Sequence, residues 1–174
     1  MIPEIKTILY ATDLSKNSSY AFLYAVDMAK RHNAKIVILH SVKPIHFMDS
    51  EEISSYQTFE LLDKVKKAEQ ETDFVEIEKN LQNFCEKIEN QIGPPCVGMV
   101  SKILVPLGHP VEEILNAADK EGCDAIVLGT HGKGFLRHTF LGSVAEAVLA
   151  RTRKPVFVIP LPSEKTNFDW DQIP

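Results

Sequence analysis

The chain has 174 residues, of which 44% are hydrophobic and 25% are charged, as is typical of one soluble globular domain. Its formal net charge of −5 argues against a broad nucleic-acid-binding surface and weakly against docking on anionic membranes. No apolar run reaches the ~20 residues that span a bilayer, and the first residues lack a signal-peptide layout. The three cysteines show no CxxC spacing, which favours a reducing cytoplasm over a disulfide framework or a zinc site.

Short β-rich runs alternate with helical patterns along the chain, which predicts βαβ units around a parallel sheet. The first predicted strand is Thr7–Thr12. A helix is expected after the serine cluster at 15–18 and continues to about Arg31, where Asn33 can close it. The second predicted strand, Lys35–His40, is an almost unbroken apolar run, as expected for a sheet that is covered on both faces.

The region from about Ile45 to Gly93 is too long for a simple crossover between two strands. Its second half is predicted to be an amphipathic helix, because apolar residues recur there at helical spacing. They are Ile77, Leu81, Phe84, Cys85, Ile88 and Ile92. The more polar first half is interpreted as an insertion at about 45–75 that is helical in part. A solvated helical extension is the favoured interpretation, and a flap or partner surface is the alternative.

The rest of the chain continues the alternation of strands and helices. Gly108–Glu113 starts a helix, with an early proline and with carboxylates in the first turn, and Gly122 closes it. The other predicted elements are strands at 99–106, 124–128 and 154–160 and a helix at 143–151. Together these elements predict a single domain over residues 1–162, followed by a C-terminal tail at 163–174.

A cluster of glycines lies between the fourth predicted strand and the last helix: Gly129, Gly132, Gly134 and Gly142. Glycine permits positive φ and lets backbone N–H groups approach a ligand closely. The helix that begins at Gly142 and Ser143 directs its unpaired N–H groups and positive dipole end at the same space, which favours phosphate. Lys133, Arg137 and His138 could add positive charge. The loop is neither a Walker A motif nor a Rossmann fingerprint, and glycine-rich turns of this kind also occur without a ligand.

Five separated segments resemble the universal stress protein family and specifically its ATP-binding branch. They lie at 8–15, 38–40, 108–110, 124–132 and 141–146. The resemblance implies an α/β three-layer sandwich, Rossmann-like and of the adenine nucleotide alpha hydrolase-like type. Its five-stranded parallel sheet would have the order 3-2-1-4-5. In that order the winding reverses between strands 1 and 4, and ligands of open α/β sheets bind at such a switch point.

The resemblance also implies a set of nucleotide-binding residues around this switch point. Asp13 would lie on the adenosine side, the backbone at Ser41 would meet the adenine, and the glycines with Ser143 would hold ribose and phosphates. Asp13 and Ser143 could also be ordinary helix caps, and His40 is interpreted as a structural hydrogen-bonding residue. The full predicted set is Thr12, Asp13, Ser41, Gly129, Gly132, Gly142, Ser143 and Val144.

The function that the resemblance implies is regulatory nucleotide binding in a stress response, with ATP as ligand and Mg²⁺ able to arrive with the triphosphate. A homodimer through the strand at 155–160 and an unidentified protein partner are implied as well. No catalytic or metal-ligating residue is assigned. A slow ATPase and a dimeric interaction module that binds no nucleotide remain as alternatives. Ala11 and Ser41 depart from residues common in the family, which leaves the preferred base open.

Overall fold

The computed structural model describes residues 2–42, 75–90, 93, 96–130 and 141–160. The predicted insertion at about 45–75, except for its last residue, and the predicted tail at 163–174 lie outside the described residues. Gly132, Gly134, Lys133, Arg137 and His138 of the glycine-rich loop also lie outside them.

The described strands form one five-stranded parallel sheet in the order β3-β2-β1-β4-β5. This confirms the predicted order, and each predicted strand and helix among the described residues is present. The third strand starts one residue later than expected, because Met99 ends a short helix that the sequence did not predict. The strands are β1 (Thr7–Ala11), β2 (Lys35–Leu39), β3 (Val100–Leu104), β4 (Ala125–Gly129) and β5 (Val156–Ile159). The helices are α1 (Lys16–His32), α2 (described over 75–90), α3 (Cys96–Met99), α4 (Pro110–Lys120) and α5 (Ser143–Arg151).

Two apolar cores lie on opposite faces of the sheet. Successive side chains of a strand point to opposite faces, so Ile8 and Tyr10 enter the core beneath α1 and α2. Leu9 and Ala11 enter the core beneath α4 and α5. Burial on both faces explains why the central strands read as continuous apolar runs. Each large side chain buried in this way contributes about 1.5–3 kcal/mol of hydrophobic free energy.

Local caps set both ends of α1. The Ser15 hydroxyl accepts the N–H of Ser18, and Asn33 closes the helix in the left-handed conformation at φ 51°. The alternative reading of Asp13 as the cap of this helix is therefore wrong. Asp13 lies two residues earlier and accepts the N–H of Ser15 at 3.1 Å, which forms a turn in front of the helix.

Asp124 fixes the start of β1 against β4. One of its carboxylate oxygens accepts the N–H groups of Lys6 and Thr7 at 2.7 and 2.9 Å, and its own N–H donates to the Thr7 carbonyl at 2.8 Å. These bonds join residues more than a hundred positions apart in sequence. They hold together the two strands between which the winding of the sheet reverses.

The three cysteines are all buried and free of disulfides. Burial raises the pKa of the Cys85 thiol to about 12 and the pKa values of Cys96 and Cys123 to about 11. Each thiol therefore stays protonated at neutral pH, and a protonated thiol is a poor nucleophile. These cysteines act as small apolar core residues.

Candidate functional site

The carboxyl ends of β1 and β4 meet at one crevice. The two strands pair in parallel from Ile8 with Ala125 to Tyr10 with Val127. Continued by two residues, the same register reaches Thr12, which directly follows β1, and Gly129, which ends β4. Both lie on the side where open α/β sheets bind ligands. The fold therefore brings these two predicted site residues together although they are far apart in sequence.

Thr12 is almost fully buried, at 9% exposure, and its polar atoms are bonded within the protein. Its hydroxyl accepts the N–H of Leu14 at 3.0 Å and shares a 2.8 Å hydrogen bond with the hydroxyl of Ser18. The Ser18 carbonyl in turn accepts the hydroxyl of Tyr10, whose pKa burial raises well above its ordinary value. Thr12 therefore shapes the loop after β1 through this buried network.

A left-handed turn at Leu14 follows the half-buried Asp13 directly after β1. Leu14 has φ 62°, a left-handed conformation that costs a non-glycine residue about 1–2 kcal/mol. The bonds from the Leu14 N–H to Thr12 and from the Ser15 N–H to Asp13 hold the turn in this conformation. A leucine gives no sequence signal for positive φ, so this turn cannot be predicted from the sequence. Strained backbone of this kind is frequent at ligand sites.

The backbone of Ser41 faces the crevice. The N–H groups of His40 and Val42 both donate at 2.9 Å to carbonyls on the β3 side, and the Val42 carbonyl accepts the N–H of Gly108 from that side at 2.8 Å. Backbone groups alternate in direction along an extended chain, so the N–H and C=O of Ser41 point the other way, past the end of β1. Among the described residues, no hydrogen bond uses either group. The Ser41 hydroxyl is turned away and donates to the Gly108 carbonyl at 2.9 Å.

The N-terminus of α5 is held over the end of β4. The N–H of Gly142 donates to the Thr130 carbonyl at 2.7 Å, so the glycine-rich loop returns to the place where it leaves the sheet. The first intrahelical bond joins the Glu146 N–H to the Gly142 carbonyl at 2.9 Å. The N–H groups of Ser143 and Val144 therefore have no partner within the helix, and the N-cap residue Gly142 has no side chain that could cap the first turn.

Two expectations about this loop need correction. Gly142, rather than Ser143, is the N-cap of α5, and its φ of −72° is open to any residue. Among the described glycines, positive φ occurs at Gly93 and Gly122 and not at Gly129 or Gly142. Gly129 and Gly142 therefore differ from other residues at the crevice by having no side chain, and not by adopting positive φ.

A cleft of about 510 Å³ adjoins the crevice on the α2 side. Thr12, Leu14 and Ser19 line one wall, and polar residues of α2, including Asn80 and Asn83, line the other. Across the described segments, no cluster of three or more His, Cys, Asp or Glu side chains could hold a metal ion. No helix in these segments is long and apolar enough to cross a membrane.

The sheet order defines a doubly wound α/β protein whose switch point lies between β1 and β4, the place where open α/β sheets bind ligands. Residues 4–160 match the Universal stress protein family, and the chain therefore belongs to that family. The resemblance seen in the five sequence segments is confirmed over almost the whole described chain.

Individual relatives agree with this assignment. Universal stress protein MJ0577 of Methanocaldococcus jannaschii is 34% identical over 160 residues, which cover 88% of this chain and 94% of the relative. The solved structure of MJ0577 has a TM-score of 0.61 at 30% identity and covers 93% of this chain and 100% of its own. Two further solved structures support the fold alone. Each is 21% identical to this chain and covers 91% of this chain and 99% of the chain in that structure. They are UspA from Lactobacillus plantarum, at a TM-score of 0.69, and the Archaeoglobus fulgidus universal stress protein in complex with dAMP, at 0.55.

Proposed function

We propose that this chain binds an adenine nucleotide, with ATP as the main ligand, in the crevice between β1 and β4. The bound nucleotide would act in stress regulation by changing the conformation of the protein and its binding to partners. The observation that carries the proposal is the first turn of α5, whose Ser143 and Val144 N–H groups have no partner within the helix and whose N-cap Gly142 is bonded to Thr130 just after β4. The backbone N–H and C=O of Ser41, which make no hydrogen bond among the described residues, support it. The dAMP complex of the Archaeoglobus fulgidus relative supports the adenine class of ligand.

The backbone of Ser41 would bind the base. It offers one donor and one acceptor next to each other, and adenine carries an amino donor beside ring-nitrogen acceptors. Because the Ser41 hydroxyl is bonded to Gly108, its side chain adds no polar contact to the base. Asp13, which is half-buried at the mouth of the crevice, would accept hydrogen bonds from the ribose hydroxyls.

The first turn of α5 would bind the phosphates. The N–H groups of Ser143 and Val144 and the positive end of the helix dipole favour an anion at this position. Gly129 and Gly142 leave room for it, and Gly132 is proposed to contribute from outside the described residues. Mg²⁺ would arrive with the triphosphate and keep phosphate oxygens and waters as its main ligands.

Calorimetric titration with ATP, ADP, AMP and cyclic AMP tests this proposal. We expect one saturable site per chain, with affinity falling from ATP to ADP to AMP, because each lost phosphate removes charge from the N-terminus of α5. Mass spectrometry of the denatured protein should also detect adenine nucleotide that co-purified from the cell. The proposal fails if no nucleotide produces heat on titration and none is found in the denatured protein.

We also propose that two copies pair through β5. The carbonyls of Pro155 and Ile159 bond to β4, so the backbone groups of Val156 and Val158 face outward from the sheet edge. Phe157 is 38% exposed at this edge. An apolar edge strand is prone to aggregation when bare, and pairing with its own copy removes that hazard.

Phe157→Lys is expected to convert a dimer into a monomer, because charged side chains on an edge strand oppose strand pairing. Light scattering should give twice the 19.5 kDa chain mass for the wild type and the chain mass for the variant. Leu149→Lys is the matched control, since Leu149 is 43% exposed on α5, and it should leave the dimer intact. A monomeric wild type at micromolar concentration would refute the β5 dimer.

A further inference from the structure

We infer that His40 is a positioning residue that keeps the Ser41 N–H out of the β1–β2 ladder and available to a ligand. The inference deepens the proposed function and rests on it. It starts from one contact, in which Nδ1 of His40 lies 2.8 Å from the carbonyl oxygen of Thr12. A carbonyl only accepts hydrogen bonds, so Nδ1 carries the proton and donates it.

The position of this contact in the ladder gives it a function. β1 and β2 are parallel, and the Thr12 N–H donates to the Leu39 carbonyl at 2.9 Å. In a regular parallel ladder the next bond would run from the Ser41 N–H to the Thr12 carbonyl. That carbonyl is instead bonded by the side chain of His40.

The imidazole N–H of His40 therefore takes the place of the Ser41 N–H in the last hydrogen bond between β1 and β2. The carbonyl of the buried Thr12 keeps a hydrogen-bond partner, as buried polar groups require. The Ser41 N–H keeps its position at the crevice without a described partner, beside the carbonyl of the same residue. The backbone of His40 is itself bonded on the β3 side, which holds the imidazole close to β1.

His40→Ala should let the ladder close, with the Ser41 N–H bonding to the Thr12 carbonyl. Affinity for ATP should fall about fivefold to tenfold, because the base loses one hydrogen-bond donor. The midpoint of urea unfolding should move little, because one backbone bond replaces the lost side-chain bond. His40→Asn should restore most of the affinity, since its amide N–H can occupy nearly the place of Nδ1–H.

Amide hydrogen exchange at Ser41 reports, independently of nucleotide binding, whether the Ser41 N–H has bonded to the Thr12 carbonyl. It is measured by NMR in the nucleotide-free protein. Exchange should be fast in the wild type and in His40→Asn, and it should slow at least about tenfold in His40→Ala, as a new ladder bond would require. His32→Ala, an exposed histidine in the last turn of α1, is the control and should change neither exchange nor affinity.

A Ser41 amide that is already protected in the nucleotide-free wild type would overturn the inference. Unchanged ATP affinity in His40→Ala would overturn it as well. If the wild type binds no nucleotide at all, the proposed function is refuted, and the exchange rate of the Ser41 amide alone then decides whether His40 holds the ladder open.

Discussion

Ser143→Asp is expected to weaken ATP binding at least about tenfold, a change of about 1.4 kcal/mol, while leaving the free energy of unfolding unchanged or slightly higher. Ser143 is exposed at the first position of α5, where its N–H has no intrahelical partner. A carboxylate there interacts favourably with the helix dipole and so supports the fold. The same carboxylate repels phosphate, since two like charges about 4 Å apart repel by about 4 kcal/mol at an effective dielectric constant near 20.

The opposite signs of the two effects make this substitution informative. Asn116→Asp adds the same charge on the exposed face of α4 and should leave ATP affinity unchanged. Ser143→Ala should weaken binding much less than Ser143→Asp, because it removes a hydroxyl and keeps the backbone N–H. Calorimetry and urea unfolding measure both quantities. Equal ATP affinity in the wild type and Ser143→Asp would place the phosphates away from α5.

Phe22→Ala is expected to lower the free energy of unfolding by about 3–5 kcal/mol, the usual cost of truncating a buried phenylalanine. Phe22 is fully buried on α1. Its ring centroid lies 4.9 Å from that of Tyr10 on β1 and 5.1 Å from that of Phe84 on α2. The ring thus joins three elements, and its removal leaves a cavity where they meet.

Tyr24→Ala on the same helix provides the control. Tyr24 is 43% exposed, and its main aromatic contact is with Tyr20, at 5.3 Å between ring centroids. We expect a smaller loss of about 1 kcal/mol, since truncating an exposed side chain leaves no buried cavity and the aromatic pair with Tyr20 contributes about 0.5–1.5 kcal/mol. Urea unfolding followed by circular dichroism measures both variants. Similar losses for Phe22→Ala and Tyr24→Ala would contradict the central position of Phe22 in this core.

Local pattern in the sequence determined most of the secondary structure. The apolar run of β2, the serine before α1 and Asn33 after it each act within a few residues, so their effect can be read from a short window. The bounds of α5 were predicted for the same reason. The order of the sheet came from the resemblance to a family, since periodicity alone does not say which strands are neighbours.

The candidate site was predicted in part. Asp13, Gly129 and Ser143 were named from the sequence, and the fold places Asp13 in the turn after β1, Gly129 at the end of β4 and Ser143 at the start of α5. Their assignment to particular parts of a nucleotide remains a prediction that the titrations decide. The left-handed turn at Leu14 was not foreseen, because leucine has no preference for positive φ and only the hydrogen bonds of its neighbours hold it there.

By itself, the sequence determined most of the elements of this protein, both caps of α1 and the residue types that favour an anion. Only the tertiary structure decided which backbone groups are available to a ligand. The His40 side chain meets a carbonyl 28 residues away, and the carboxylate of Asp124 holds an amide 117 residues away. Such bonds depend on which strands lie side by side, and no local window of sequence contains both partners.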